Sequence, residues 1–263
     1  MADIKCLYQD IKTEWNKTTP NLKKCEPLIN DLKIALTKLS YLPTGELTTL
    51  SKDEMILSRN ILEIAVEYSV ASKDIPAFER YMAQLKCHYY DYKNIIGGSE
   101  NMYKLLGLNL LFLLSGNRVS DFHIELELLP AEVIQTNEFI RPILALEQYI
   151  MEGRYNKIFE AKNGTHPEIY NFFMDLLLET VRDEIGACIE KSYDKISIKE
   201  AAKRLNLKSK DAVRAFGAKK KWHLESDEVF YFSTNVTKPK EPLPSTELAE
   251  QVIFYARELE MIV

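Results

Sequence analysis

The chain has 263 residues, 46% hydrophobic and 28% charged, a balance that suits a packed globular protein and excludes wholesale disorder. Its formal charge of −5 gives no global attraction to nucleic acid or acidic membrane. The four cysteines, Cys6, Cys25, Cys87 and Cys188, are scattered without a C-x-x-C pair, which fits neither a zinc site nor a disulfide scaffold.

In chain order, residues 3–17 set Ile4, Leu7, Tyr8, Ile11 and Trp15 on one helical face. Asp3, Lys5, Asp10, Lys12 and Glu14 interrupt this stretch, so it has no signal-peptide core, and the expected compartment is cytoplasm and nucleus. The sequons at Asn16, Asn163 and Asn235 then read as chance matches. Across 21–40, Leu22, Cys25, Ile29, Leu32, Leu36 and Leu39 repeat at helical spacing, and Leu42-Pro-Thr-Gly45 is a turn.

From residue 52 a repeat emerges. A long apolar helix ends in a turn of small residues, and a second helix follows with Phe in its first turns. The copies are Ala71–Phe78, Ser115–Phe122 and Glu152–Phe159, spaced at roughly 40 residues, the scale of helical-hairpin repeats. Such hairpins bury their apolar faces by stacking. An irregular helical domain would give the same composition, and both readings predict an all-helical stack. The apolar run Leu105–Leu114 is broken by Gly107 and Asn109 and is too short to span a membrane.

After Asp194 the pattern changes. Ile196–Leu205 is predicted as a short helix, Asn206–Ser209 as a turn and Lys210–Lys220 as a second helix. Lys221–Leu224 and Val229–Phe232 read as two strands joined by the polar turn Glu225–Glu228. Together these make a winged helix. Ten basic residues against two acidic ones lie between Lys195 and Lys221. Such modules can lay a helix in the major groove, with Asn206 and Arg214 as base readers and Lys219–Lys221 on phosphates. Lysine carries little base specificity, so nucleic-acid binding stands as the alternative function rather than the main one. The strand Val229, Phe230, Tyr231, Phe232 is instead expected to offer an edge to a neighbouring chain. The same edge could also be protected by Glu225, Asp227 and Glu228.

Residues 237–244 hold Pro239, Pro242 and Pro244 and form a semi-rigid spacer. Ser245–Val263 follows as an amphipathic helix, with Ser245 as a possible cap and Glu247 in the first turn. Leu248, Val252, Tyr255, Ala256 and Leu259 share one face, and Met261, Ile262 and Val263 extend it. A helix this short is marginal alone in water. Its stripe must be covered by another chain or fold back on its own stack, and the spacer favours another chain. The expected partner-binding residues are therefore Leu248, Val252, Tyr255, Leu259, Met261, Ile262 and Val263.

No catalytic constellation is legible. His88, His123, His166 and His223 are isolated, and adjacent Cys87 and His88 would point about 100° apart on a helix. There is no H-x-H metal pair, no H-E-x-x-H and no phosphate loop, so no metal, cofactor or enzymatic activity is expected.

The predicted domains are a mostly-α, TPR-like repeat stack over 1–192, a winged helix over 193–234, a Pro-rich linker over 235–244 and an assembly helix over 245–263. That arrangement resembles the PCI domain of the proteasome lid, the signalosome and an initiation-factor complex. Residues 42–62, Phe78-Glu-Arg-Tyr-Met-Ala-Gln-Leu-Lys86, Leu105–Leu114, Arg182-Asp-Glu-Ile185 and the ending Pro244–Val263 resemble the proteasome-lid branch. The ending separates that branch from the signalosome and initiation-factor relatives. The winged-helix segment 196–234, lysine-rich here, carries least of the likeness. The resemblance implies a non-catalytic lid subunit that joins its neighbours through winged-helix edges and sends its last helix into a shared bundle. It also implies as partners the other lid PCI subunits, notably non-ATPase subunit 3, and the large non-ATPase scaffold subunit of the base.

Overall fold

The computed structural model describes residues 2–15, 17, 21–37, 52–162, 168–207, 209–224, 228–232 and 244–262. The chain divides into two compact units, Met1–Ile185 and Gly186–Val263. The boundary falls inside a single long helix.

The first unit is helical. Helices α1 (Ala2–Trp15) and α2 (Leu22–Thr37) pair, burying Ile4 and Ile11 against Cys25, Ile29, Leu32 and Leu36. Leu39 and the Leu42–Gly45 turn lie outside the described residues. Helices α3 (Lys52–Ala71) and α4 (Ile75–Tyr90) form the next hairpin. A short helix α5 (Lys93–Ile96) leads to α6 (Met102–Ser115) and α7 (Val119–Glu127). Then come α8 (Ala131–Thr136), α9 (Arg141–Met151), α10 (Tyr155–Ala161), a 3-10 turn Glu168–Tyr170, and α11 (Asn171–Ser192).

The three expected repeat turns join α3 to α4, α6 to α7 and α9 to α10, and they share one backbone device. Lys73, Asn117 and Gly153 each take a left-handed φ of 61°, 56° and 70°. The next amide N–H then reaches back five residues: Asp74 to Ser69 O at 2.9 Å, Arg118 to Leu113 O at 2.9 Å, and Arg154 to Tyr149 O at 2.8 Å. These are Schellman closures, which satisfy the last carbonyls of a helix while turning the chain. Asp74 also caps α4, its carboxylate accepting from Ala77 N at 3.2 Å. Five residues after the left-handed position stand Phe78, Phe122 and Ile158, all fully buried. The third copy is thus in register on Ile158, one residue before the expected Phe159.

Helix α6 explains the apolar run. Met102 and every residue from Leu105 to Ser115 are buried, as expected of a helix surrounded by others. Among the described residues no helix is long and apolar enough to cross a membrane. The rings of Phe78, Phe112 and Phe173 meet at 5.1–5.4 Å and tie α4, α6 and α11 together. Tyr170 Oη donates to Lys104 O at 2.7 Å, and Thr180 Oγ1 donates to Ser115 O at 2.8 Å at the end of α6. A buried network closes the other side: Tyr89 Oη donates to Glu63 at 2.9 Å, and Arg59 Nη1 donates to Gly97 O at 3.2 Å. Burial and the Glu63 carboxylate push the Tyr89 phenol upward.

His88 is buried beside this network, 3.1 Å from Ser58 Oγ, whose own proton goes to Met55 O. Burial, and then the Arg59 charge, hold the imidazole below its ordinary 6.5. The neutral form is the native one, so its contribution is complete above pH 6.5 and falls as the pH drops below that value. Urea midpoints should therefore be lower at about pH 5.5 than at about pH 7.5, and His88→Gln should shrink that difference.

In the second unit, the expected helix from Ile196 begins with a strand instead. The elements are β1 (Lys195–Ser197), α12 (Ile198–Arg204), α13 (Lys210–Lys219), β2 (His223–Leu224) and β3 (Val229–Tyr231). Ser197 caps α12 by accepting from Glu200 N at 3.4 Å, which leaves Ile196 outside the helix and paired with Phe230. The sheet order is β1-β3-β2, both pairings antiparallel. Val229–Phe232 is therefore not an edge: its strand lies in the middle. The rings of Phe216, Phe230 and Phe232 surround Trp222 at 5.1–5.5 Å, and Trp222 Nε1 donates to Glu190 at 2.6 Å.

Candidate partner-binding surfaces

The last element, α14 (Ser245–Glu260), exposes every described residue, 244–262. Its N-cap is Pro244, with Ser245 as the first helical residue and no side-chain cap bond, so the expected Ser245 cap is not formed. Leu248 (52% exposed), Val252 (68%), Tyr255 (68%) and Leu259 (51%) form the predicted stripe, followed by Met261 (67%) and Ile262 (79%). Val263 lies outside the described residues. The sequence reading missed Ile253 and Phe254, which are as exposed as the stripe. At about 100° per residue Phe254 projects away from it, and apolar residues off the stripe are the signal that was there to be read. Single exposed apolar side chains are normal, but eight on one sixteen-residue segment and its end are not.

The winged helix offers a second surface. Phe230 is 1% exposed and belongs to the Trp222 core, while Val229, Tyr231 and Phe232 are half-buried. The outer strands are β1 and β2, and β2 presents His223 and Leu224, both exposed. An added strand would pair there rather than with β3. Helix α13 meets this sheet at Gly217, where a Cβ would stand 2.9 Å from Phe230 Cε1 and 3.0 Å from Cζ. Alanine is the better helix former by about 1 kcal/mol, but overpacking costs about 1–3 kcal/mol. Gly217→Ala should thus lower the unfolding temperature of the full chain, against the helix-propensity trend, in a thermal melt.

Part of the basic face, Lys210, Arg214 and Arg204, is engaged within the unit. Glu228 binds Lys210 at 2.9 Å and Arg214 at 3.5 Å, and Asp211 lies 3.7 Å from Arg214. The Lys210 hydrogen bond, then its charge, holds the Glu228 carboxyl below its ordinary value. Arg204 stacks over the Tyr193 ring at 5.1 Å. Arg214, one of the two expected base readers, is therefore tied to carboxylates, and Asn206 sits in a left-handed turn at φ 51°. Lys208 lies outside the described residues.

Cys87 and His88 are not brought together: Cys87 Sγ faces Ala83 O, and His88 faces Ser58. Ser58 and His88 do touch, but both are buried, at 1% and 4% exposure, beyond the reach of a substrate. Among the described residues no cluster of His, Cys, Asp or Glu is arranged to hold a metal.

A sequence profile of the CSN8/PSMD8/EIF3K family matches residues 100–242. The chain is 39% identical over 242 residues to 26S proteasome non-ATPase regulatory subunit 8 homolog A of Arabidopsis thaliana, covering 91% of this chain and 90% of that protein. It is 32% identical over 257 residues to 26S proteasome non-ATPase regulatory subunit 8 of Caenorhabditis elegans, covering 97% and 98%. It is 30% identical over 223 residues to 26S proteasome regulatory subunit rpn12 of Schizosaccharomyces pombe, covering 84% and 77%.

Proposed function

The chain belongs to the CSN8/PSMD8/EIF3K family, and from that membership we propose that it is a non-catalytic structural and assembly subunit of the 26S proteasome regulatory particle lid. The observation that carries this reading is α14, whose six large apolar side chains, with Met261 and Ile262 just beyond it, are all exposed. Burying each would contribute roughly 1.5–3 kcal/mol, so a surface that covers them gains strongly. The winged-helix sheet, with its two outer strands, supplies a second contact for a neighbouring PCI subunit.

Its neighbours in this reading are other lid subunits, notably non-ATPase subunit 3, and the large scaffold subunit of the base, in cytoplasm and nucleus. It contributes architecture to ubiquitin-dependent degradation and no chemical step of its own. Affinity isolation of the tagged full chain from cell extract tests this. Lid and base subunits should appear in fixed ratio, and recovery of the chain alone, or with signalosome or initiation-factor subunits instead, would refute the reading.

A further inference from the structure

Helices α1 to α4 frame a cavity of about 260 Å³ that neither α14 nor the winged helix explains. Ile11, Ile29 and Leu32 line it from α1 and α2, and Ile61, Leu62 and Ala65 from α3, each 5% exposed or less. The charged lining is of one sign. Lys33 of α2 and Arg80 of α4 are exposed cations, and among the described residues no carboxylate lines the cavity. Lys33 lies over the Tyr81 ring at 5.0 Å and donates to the neutral Asn30 side chain at 3.0 Å. Arg80 has no ion-pair or hydrogen-bond partner among the described residues.

Protein interiors leave few voids larger than a water molecule, and water finds few partners against walls of this kind. A methylene takes about the room of one water, roughly 30 Å³, so the cavity admits an aliphatic tail of about eight carbons. The exposed cations stand where the cavity meets solvent, and they favour a negative head on that tail. A carboxylate suits them, because Arg and Lys donate charge-assisted hydrogen bonds to its oxygens. An amine head would meet like charge.

We propose that this cavity binds a free medium-chain carboxylate, its tail among α1 to α4 and its head held by Arg80 and Lys33. The test is calorimetric titration of the full chain with saturated carboxylates, each kept below its micelle concentration. Affinity should rise about fourfold per methylene and level off near about eight carbons. Octanoate should bind about fivefold more tightly than octanol, and octylamine most weakly. Arg80→Glu should remove the preference for the acid and leave octanol binding unchanged. Lys93→Glu, at an exposed cation outside the lining, should change neither. Ala65→Leu should bring the plateau forward by about three carbons, since the added side chain takes up that much of the cavity.

Absence of binding by every carboxylate would overturn the proposal. So would affinity that climbs without a plateau, octylamine binding as tightly as octanoate, or an unchanged preference in Arg80→Glu. Displacement of octanoate by a capped acidic peptide containing leucine would overturn it too, by placing a partner chain in the cavity. Arg80 is exposed, so its variant keeps the test decisive if Ala65→Leu fails to fold. None of these outcomes depends on whether the chain enters a proteasome particle.

Discussion

A chain ending at Pro244 should fold normally and should no longer co-purify with proteasome subunits. The first half of this expectation rests on burial: α14 has no buried residue, so its removal takes nothing from a core. Surface changes of that kind move stability by about 0.5 kcal/mol or less. The second half rests on the apolar side chains that deletion removes from the interface. Losing three of them forfeits about 4.5–9 kcal/mol of burial, which is three or more factors of ten in affinity. Leu248→Glu, Val252→Glu and Leu259→Glu together should reproduce the deletion with the helix length unchanged. The measurement is the ratio of tagged chain to companion subunits after affinity isolation, beside a thermal melt of the purified protein. A truncated chain recovered with its full set of companions would remove α14 as the attachment point.

Phe78→Ala should produce the largest loss of stability among single changes in the helical stack. Phe78 is completely buried in the first turns of α4, and its ring meets Phe112 on α6 and Phe173 on α11. The substitution removes the shared member of two of the ring contacts and leaves a cavity that three long helices cannot collapse into. Core Phe→Ala changes cost about 3–5 kcal/mol, on the order of 10 °C in unfolding temperature for a chain of this size. Circular dichroism on heating measures this, with Ile34→Ala at a 59% exposed position as the reference. Equal melting of the two variants would show that the ring cluster is not what joins α4, α6 and α11.

The helices were legible because their signal is local. Apolar residues at steps of three and four mark α1 and α2 without knowledge of any partner, and the repeated turn with its following Phe marks α3 and α4. The run Leu105–Leu114 had no face to detect, and the reason is that α6 is covered on every side. Strand β1 was hidden for the opposite reason. Three residues, Lys195–Ser197, become a strand only by pairing with Val229–Tyr231, more than thirty positions away, and the preceding pattern continues smoothly into α12. That same omission made Val229–Phe232 look like an edge. Asn109 was visible only as an interruption in an apolar run, since the absence of a hydrogen-bond partner for its buried Nδ2 is a property of the tertiary structure. The stripe on α14 is legible from its steps of three and four, whereas the exposure of Phe254, off that face, is a property of the tertiary structure.

The left-handed closures carry a consequence for how such arrays change over time. Lys73, Asn117 and Gly153 occupy one backbone role with three unrelated side chains, and Lys221 repeats it in the second unit at φ 60°. Because main-chain amides make the reversal, the identity of the pivot is weakly constrained, and a glycine there would relieve conformational strain rather than disturb the turn. Hairpins joined in this way can drift apart in composition while keeping the same geometry at their corners.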